Sequence, residues 1–498
     1  MQKTDLPTVP SNWIIVNLED IAEIGQGGTP STDIQDYWDG KIPWLRSGEI
    51  NFNRIISSQR KITKLGIQNS AAKLLPKGTL LLAMTGQGLT RGRAAILDIE
   101  ASANQSCVHI IPKSTIIDNE YLFYFFMKEY WTIRQIYKGS NQAGLNTTLI
   151  KKLRIPLTSP KEQKQIVLKI KELFLELDNS IHALKTSLTL LSQYRQSVFK
   201  YAFSGKLSEE WRENHINEII PISDFIERII NDENKSKTQK SRIIIKEDLP
   251  TLPFGWSWVR LSTVAVINPK FQNTEVRDHD QVSFLPMKDL EEETGKYNAS
   301  IRSYSEVKKQ YTPFRNNDII FAKITPCMEN GKITLLHNLE NSIGFGSTEF
   351  HVIRVIEGLV TKYFLFYFLQ KDFREKAHES MTGSAGQLRV PLRYLEQVLI
   401  PLPSIKEQDQ IAREIQRRMI VSSDVLESVK QSLVQSTKLR QSILNAAYDG
   451  KLVQHSRADE NLLELLEKSR EDKTSRIRKS SKSRIRNKHV DTKQTQLV

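Results

Sequence analysis

Cysteine is scarce in this sequence, and long apolar runs are missing from it. The 498 residues include two cysteines, Cys107 and Cys327, with neither a CxxC spacing nor a cluster of metal ligands around them. A disulfide-stapled secreted fold and a structural zinc site are therefore not predicted. The most apolar runs, Tyr121–Met127 and Tyr363–Leu369, fall far short of the roughly 20 residues that a membrane-spanning helix needs. We predict an intracellular, metal-free protein without a membrane span.

Short catalytic signatures are also missing. No GxxxxGK[ST] phosphate loop occurs, because the Gly-Lys-Leu at Gly205 and again at Gly450 lacks the glycine-rich lead and the hydroxyl residue. The tetrapeptide at Asn268–Phe271 lacks the second proline of the amino-methyltransferase signature, and the nine histidines show no HExxH spacing. The sequence therefore predicts a chain that is not itself an enzyme. A methyltransferase with a disguised cofactor site, or a nuclease built from dispersed acids, is a rival hypothesis.

Positive charge is in excess and unevenly placed. The formal net charge is +14, and the stretch from Lys468 to Lys493 holds eleven Lys/Arg and three acidic residues, a net of +8. A basic, Ser-rich tail of this kind is typical of a solvated, disordered extension. The charge is compatible with a nucleic-acid partner but does not require one.

Most of the chain is an internal duplication. Residues 155–207 align without a gap with residues 400–452, and twenty of the 53 positions are identical. A second pair of similar segments precedes these blocks: LPTVPSNW at Leu6–Trp13 recurs as LPTLPFGW at Leu249–Trp256. Between the similar segments the two copies diverge. The order is therefore variable block, similar block, variable block, similar block.

Each similar block has the signature of a helix. In the first copy Ser159 stands where an N-cap belongs, Pro160 takes the first helical position, and Glu162 completes a capping box. Gly205 supplies the C-terminal stop. The second copy repeats the serine, the glutamate and the glycine 245 residues later. The sequence thus predicts two long helices of similar length.

An apolar seam runs along each predicted helix. In the first copy it consists of Ile166, Ile170, Leu173, Leu177, Ile181, Leu184, Leu188, Leu191, Tyr194 and Val198. In the second it consists of Ile411, Ile415, Leu426, Val429, Leu433, Leu439 and Ile443, interrupted by Arg418, Ser422 and Ser436. Such a seam needs a partner helix, and the duplicate is the simplest one. A pseudo-two-fold axis would make the pair antiparallel, with one variable block at each end. The alternative is that each helix packs only on its own domain.

The variable blocks contain short β-branched or aromatic runs between turn residues, and each ends in an aromatic helix near Tyr121 or Lys362. The predicted strands are Lys41–Leu45, Thr79–Met84, Cys107–Ile111, Asp318–Ile324 and Phe350–Val355. Both blocks are predicted to be α+β domains whose aromatic clusters belong to the core. The segment Asp36–Leu65 has no recognisable counterpart around Gln272–Lys309. Ser208–Lys246 is predicted to be a connector.

The repeated motifs resemble those of one protein family. They are the Pro-Leu-x-x-x-Lys-Glu-Gln-x-x-Ile openings at Pro156 and Pro401, the Arg-Gln-Ser to Gly-Lys-Leu endings at 195–207 and 440–452, the Leu-Pro-x-x-Pro-x-x-Trp segments, and GGTPSTDIQDYWDGKIPWL at Gly27–Leu45. On these motifs, which cover nearly all of residues 1–455, the chain resembles the specificity subunit of type I restriction-modification systems.

The resemblance implies a fold. It is α+β, with two α/β target-recognition domains separated by two long antiparallel coiled-coil helices in a pseudo-two-fold internal repeat. The implied limits are residues 1–154 for the first target-recognition domain, 155–207 for the first long helix, 208–247 for the linker, 248–399 for the second target-recognition domain, 400–453 for the second long helix, and 454–498 for a basic, disordered tail.

The resemblance also implies a division of labour. The subunit would not be catalytic and would need no cofactor, and each recognition domain would read one half of a split, asymmetric site in double-stranded DNA. Two methyltransferase (modification) subunits would dock on the helices and flip the target adenines, and restriction/translocase subunits would join that assembly. Such proteins work in the cytoplasm of bacteria or archaea.

Base reading needs Arg, Asn, Gln, Ser or Thr side chains on loops that reach into a groove, with Lys and Arg on phosphates. In the first domain the predicted DNA-contacting residues, all in turn-rich or glycine-flanked stretches, are Thr29, Lys41, Arg46, Ser47, Arg91, Arg93, Asn104, Gln105 and Gln142. In the second domain they are Lys288, Lys323, Thr325, Lys332, Ser347, Thr348, Gln387 and Arg389. A two-headed coiled-coil scaffold that binds proteins rather than DNA is the alternative function.

Overall fold

The chain divides into two compact units. The computed structural model describes residues 9–86, 88–135, 145–233, 249–271, 276–384, 386–454, 462–464 and 466–468. Of these residues, unit 1 contains those up to Leu184 and those from Gln431 onward, and unit 2 contains those from Lys185 to Lys430. Each unit therefore contains one variable block and parts of both long helices.

The two copies of the repeat contain similar successions of strands and helices. The first copy has β1 (Ile14–Asn17), α1 (Leu18–Ile21), β2 (Ala22–Gln26), β3 (Trp38–Leu45), β4 (Asn53–Ile55), β5 (Arg60–Ile62), α2 (Lys64–Gln68), β6 (Leu80–Ala83), β7 (Ala94–Leu97), β8 (Ser102–Ala103), β9 (Cys107–Pro112), α3 (Asn119–Lys128), α4 (Tyr130–Gln135), α5 (Thr147–Lys151), β10 (Arg154–Leu157) and the long helix α6 (Pro160–Phe203). The second has α7 (Glu209–Asn214), α8 (Ile222–Glu233), β11 (Ser257–Arg260), α9 (Leu261–Val264), β12 (Ala265–Ile267), β13 (Gln281–Leu285), β14 (Ser300–Ser303), α10 (Tyr304–Val307), β15 (Thr312–Arg315), β16 (Ile319–Ala322), β17 (Ile333–Leu335), β18 (Ile343–Gly346), β19 (Phe350–Val355), α11 (Thr361–Phe368), α12 (Lys371–Glu379), α13 (Leu392–Gln397), β20 (Leu399–Leu402) and the long helix α14 (Ile405–Tyr448).

Unit 1 is built on a five-stranded sheet with the order β2-β9-β6-β7-β4 and a three-stranded sheet with the order β5-β3-β8. Strand β6 is buried on both faces. Successive side chains of a strand point in opposite directions, so its alternate residues enter two different cores. Leu80 and Leu82 join the core that includes residues of α3 and α6, while Leu81 and Ala83 join a second core. The larger sheet is therefore covered on both sides.

Unit 2 repeats this plan with the sheet orders β12-β19-β16-β17 and β14-β13-β18-β15. Ile319 and Phe321 of β16 join one core, and Ile320 and Ala322 join another. All five strands predicted in the variable blocks form, and the aromatic helices α3 and α11 contribute buried core residues as predicted. Both blocks are thus the α+β domains that the sequence patterns indicate.

The small sheets correspond although their sequences do not. Strand β3 pairs with β5 in the antiparallel sense and with β8 in the parallel sense. Strand β13 pairs with β14 and β18 in the same two senses. Asp36–Leu65 thus has a structural counterpart around Gln272–Lys309, although no counterpart is recognisable in the sequence. A small sheet needs alternating burial rather than particular residues, so its two copies can diverge beyond recognition.

A tryptophan and a glutamate join each variable block to its long helix. Trp13 Nε1 donates to Glu162 at 3.2 Å, and Trp256 Nε1 donates to Glu407 at 2.9 Å. Both glutamates are buried in the first turn of their helices. A buried carboxylate needs such donors, which explains why the tryptophan recurs with the helix opening.

A tyrosine makes a second junction in each copy. The Tyr121 hydroxyl donates to Pro156 O at 2.9 Å, and the Tyr363 hydroxyl donates to Pro401 O. Both rings are fully buried, and burial raises the pKa of each phenol well above its usual value. The aromatic helix is thereby fixed to the strand that leads into the long helix.

In each unit the beginning of one long helix lies with the end of the other. Unit 1 buries Ile170, near the start of α6, in one core with Leu444, near the end of α14. Unit 2 buries Phe199, near the end of α6, in one core with Ile415, near the start of α14. This is the predicted antiparallel order. The alternative, in which each helix packs only on its own domain, is wrong.

Each long helix contributes to the seam an arginine that the apolar pattern did not predict. Tyr194 and Leu439, both expected in the seam, are 42% and 51% exposed. The next residue of each copy faces the other helix instead. Arg195 donates to two serines of α14 at 2.6 and 2.8 Å, and Arg440 pairs with Asp178. A helix with 3.6 residues per turn rotates gradually relative to a strict repeat of apolar residues. Over a long helix this shift explains why Tyr194 and Leu439 were wrongly predicted to face the partner helix.

The two helix openings differ in their caps. Ser159 Oγ accepts from the N–H of Glu162 at 3.3 Å, so the predicted N-cap is confirmed in the first copy. Ser404 Oγ is buried without a hydrogen-bond partner among the described residues, so the predicted capping box is wrong in the second. There the Glu407 carboxylate accepts from Arg212 Nη1 at 2.7 Å as well as from the tryptophan. The glutamate therefore serves the junction rather than the cap.

Both long helices are followed by a glycine with a left-handed backbone, Gly205 at φ 75° and Gly450 at φ 71°. The predicted C-terminal stops are thereby confirmed. Farther along, residues 462–464 and 466–468 are helical, and Leu462 and Leu466 are buried in the core of unit 1. These residues belong to the segment predicted to be a disordered tail, but here they pack against the core of unit 1.

The described helices include none long and apolar enough to cross a membrane. The two cysteines are free thiols: Cys107 is buried and Cys327 is half-buried. Burial raises the pKa of Cys107 to about 12, so this thiol stays protonated and unreactive at neutral pH.

Candidate nucleic-acid interface

A Gly-Gly turn after β2 positions the first predicted contact residues. A Cβ at Gly27 would lie 2.2 Å from Asn104 O, so only glycine allows this approach. The N–H groups of Gly27 and Gly28 donate to backbone oxygens of the β8–β9 region at 3.0 and 2.9 Å. The Thr29 hydroxyl then donates to the Gln105 side chain. Thr29, Asn104 and Gln105 are therefore brought together at one end of the small sheet.

Unit 2 has the same turn with different side chains. The Asn104 N–H donates to Leu45 O at 2.9 Å, and the Ser347 N–H donates to Leu285 O at 3.3 Å. Each side chain also accepts the N–H two residues later at 3.2 Å. The residue after each of them, Gln105 or Thr348, is exposed. The predicted pairs Asn104–Gln105 and Ser347–Thr348 thus occupy corresponding positions.

Arg93 and Lys332 also correspond. Each carbonyl accepts from the last residue of the neighbouring strand, β6 at 2.9 Å or β16 at 3.0 Å. The adjacent turn holding Arg91 is anchored by Arg134, whose Nη1 donates to Arg91 O at 2.7 Å. Sequence reasoning missed Arg134, because nothing in a short helical segment indicates that its arginine bonds backbone 43 residues away.

Glu349 forms hydrogen bonds with predicted contact residues of unit 2. Arg389 donates to both carboxylate oxygens, Nε at 2.9 Å and Nη2 at 2.8 Å. These hydrogen bonds hold the pKa of Glu349 below its usual value, although partial burial opposes them. The Lys323 N–H donates to Glu349 O at 2.9 Å. Lys323 and Arg389 are therefore adjacent, and Arg389 is engaged with a carboxylate that the sequence did not single out.

Arg46 and Ser47 lie directly after β3, where a 3-10 turn spans Ser47–Glu49. Lys288 lies in the corresponding turn, Met287–Asp289, which is separated from the end of β13 by one residue. Lys332 Nζ donates to the backbone oxygen of Met287 at 3.1 Å, which places it beside this turn. The strand ends after β3 and β13 are thus lined with predicted residues.

The remaining predicted residues differ in their surroundings. Gln387 joins the Glu349 group, since its backbone oxygen accepts from Arg389 Nη1 at 3.1 Å. Lys41 is exposed within β3. The Thr325 hydroxyl donates to Glu329 at 2.9 Å. Gln142 lies outside the described residues. In the described part of the chain no group of three or more His, Cys, Asp or Glu side chains could hold a metal ion.

The arrangement supplies amide, hydroxyl and guanidinium groups at the ends of two corresponding small sheets. Such groups match the donors and acceptors on base edges. The fold and this arrangement define a class: a duplicated α+β protein with two long helices and two similar polar turns whose side chains differ.

The particular family follows from comparison with known proteins. A family model described as "Type I restriction modification DNA specificity domain" matches residues 10–189 and 253–424. The chain belongs to this family, the specificity subunits of type I restriction-modification systems, and the resemblance in its motifs is confirmed.

Individual relatives agree. The chain is 33% identical over 280 residues to the type I restriction enzyme EcoAI specificity subunit of Escherichia coli. The matched region covers 54% of this chain but only 46% of that protein. The EcoDI specificity subunit of Escherichia coli is 23% identical over 461 residues and 91% of each chain. The crystal structure of the HsdS subunit from Thermoanaerobacter tengcongensis has the same fold, with a TM-score of 0.56 at 15% identity over 91% of this chain and all of that one.

Proposed function

We propose that this chain is the DNA-reading subunit of a type I restriction-modification complex. Each recognition domain, within residues 1–154 and 248–399, contacts one half of a split site in double-stranded DNA. The observation that carries this proposal is the repeated turn, in which Asn104–Gln105 and Ser347–Thr348 share backbone contacts but differ in side chains. Equal scaffolds with unequal donors and acceptors suit an asymmetric site.

Two methyltransferase subunits are proposed to dock on the long helices. Leu175 of α6 and Ile420 of α14 are 245 residues apart and are 64% and 55% exposed. An apolar side chain at the same exposed position of both copies suits two identical partners, one for each unit. The subunit itself catalyses no step, and restriction/translocase subunits join the same assembly.

Co-expression with a cognate methyltransferase subunit, followed by sequencing of the methylated sites, tests the proposal. A motif of two short specific parts with an unspecified gap is the expected result. If the complex assembles but methylates an ungapped motif, or nothing, the proposal is wrong.

Two further measurements separate the rivals. A protein-binding scaffold would give no shift of DNA containing the split motif in the presence of the methyltransferase subunit, whereas the proposal predicts a shift. An enzyme would methylate or cleave DNA as the purified chain alone, whereas the proposal predicts no turnover without its partners.

A further inference from the structure

Two arginines outside the predicted contact residues occupy corresponding strands of the small sheets. Arg60 lies on β5 and Arg302 on β14, and these strands pair in the antiparallel sense with β3 and β13. In the antiparallel pairing, Arg60 is opposite Trp44. Arg302 is opposite Val282, which lies two residues before Phe284. Since side chains alternate along a strand, a shift of two residues keeps the same face.

Both guanidinium groups lie over aromatic rings. Arg60 Cζ lies 4.4 Å from the ring centroid of Trp38 and 5.7 Å from that of Trp44. Arg302 Cζ lies 3.8 Å from the ring centroid of Phe284. A cation–π contact at this distance holds the guanidinium over the ring and leaves N–H groups available to other partners.

Neither arginine has an ion pair or a side-chain hydrogen bond within the residues that the structure describes. Other arginines of the two domains are engaged: Arg54 binds Asp98 and Glu120, and Arg354 binds Asp318. The local charge is also positive. Residues 53–64 contain four Lys/Arg and no acid, and residues 296–315 contain five Lys/Arg and one acid.

The stacked rings connect the arginines to the turns described above. Trp44 Nε1 donates to Gly28 O at 3.0 Å, directly before Thr29. The residue after Phe284, Leu285, accepts the N–H of Ser347. In both domains the arginine therefore lies one strand away from the corresponding polar turn.

Resting on the proposed function, we infer that Arg60 and Arg302 are specificity-determining residues, one for each half of the DNA site. Each donates two N–H groups to O6 and N7 of a guanine in the major groove, a contact that needs a planar fork held in one orientation. A residue that contacted only phosphate would not need the stacked ring. The competing role is structural: the arginine stem covers the apolar cluster around Trp38 or Phe284.

The test uses the full chain in complex with its methyltransferase subunit. Arg60→Met keeps an unbranched stem over Trp38 but removes the guanidinium, and Arg302→Met does the same over Phe284. Lys61→Ala is the matched control, because it removes one positive charge from the opposite face of the same strand. Thermal unfolding of each variant measures the structural role separately, and genome-wide sequencing of methylated sites gives the motif.

Arg60→Met is expected to lose the requirement for one G·C pair in one half of the motif, with discrimination there falling about 10- to 100-fold. Arg302→Met should relax the other half alone, and Lys61→Ala should keep the motif. If both methionine variants keep the wild-type motif, or weaken binding equally for all sequences, the inference is overturned while the proposed function stands. A wild-type complex without a gapped motif overturns both.

Discussion

The two units share their internal junctions and differ at their reading edges. Both have the tryptophan-to-glutamate bond and the tyrosine-to-proline bond between variable block and long helix. At the edges, unit 1 has the Thr29–Gln105 contact, whereas unit 2 has the Glu349–Arg389 ion pair. Junctions are buried and tolerate few substitutions, while exposed turns need only a stable backbone. The same backbone arrangement can therefore carry different exposed side chains in the two units.

Two buried histidines show a second difference. His351 contacts Asn268 Nδ2 at 3.0 Å and Val390 O at 2.9 Å, so both ring nitrogens have partners. His109 is buried with an Nδ1 that has no hydrogen-bond partner among the described residues. The buried imidazole of unit 1 thus lacks a hydrogen bond that the buried imidazole of unit 2 has, and substitutions at the junctions and at His109 compare the stability of the two units.

The largest effect is expected at the junction of unit 2. Glu407→Ala leaves the buried Arg212 cation and the buried Trp256 Nε1–H without their shared acceptor. Breaking a buried ion pair from one side costs about 3–5 kcal/mol. The free energy of unfolding from urea denaturation measures the loss. Glu218→Ala, which removes the exposed partner of Lys406, is the control. Equal effects of the two substitutions would contradict the role of the junction.

Gly25→Ala should destabilise unit 1 by about 2 kcal/mol through overpacking. The added Cβ would lie 2.4 Å from Nε2 of His109, whose ring is buried. The double variant Gly25→Ala/His109→Ala should lose less than the sum of the single changes, because the clash is removed. Strict additivity in denaturation experiments would show that the two residues do not contact each other.

Acid should weaken unit 1 through His109. Burial, and next the charge of Lys73, lower the pKa of His109 to about 4, from 6.5 in the unfolded chain. Between these values the unfolded state binds more protons, so stability is complete above pH 6.5 and falls as the pH drops toward 4, by about 2 kcal/mol at pH 5. His109→Gln should flatten this dependence in urea denaturation at several pH values. An unchanged slope would refute the assignment.

The smallest effects are expected in the helix seam. Arg440 stacks on Phe174 at 4.6 Å and pairs with Asp178, whereas Arg195 donates to Ser422 and Ser423. Arg440→Ala and Arg195→Ala should each cost about 1 kcal/mol. Hydrogen exchange should localise the first loss to unit 1 and the second to unit 2. A loss spread evenly over both units after either substitution would contradict this division.

The sequence predicted features that depend on periodicity or on repeated motifs. The long helices, their glycine stops, the central strands and the turns at Asn104 and Ser347 were all predictable, because each has a local pattern. The partners of these residues were not. Glu349, Arg134 and Arg195 act on groups far away in the chain, and the small sheets have no shared residues to align. Arg60 was missed because its stacking on Trp38 is set by strand pairing across a bulge.

The pseudo-two-fold repeat can be tested most directly with a doubled chain. Residues 14–157 would replace residues 257–402, so that the same recognition domain follows Trp13 and Trp256 and precedes both long helices. Sequencing of sites methylated by its complex should give a symmetric gapped motif, one half-site followed by its own reverse complement. An assembled complex that still methylates the asymmetric wild-type motif, or one without twofold symmetry, would contradict the repeat as the basis of recognition.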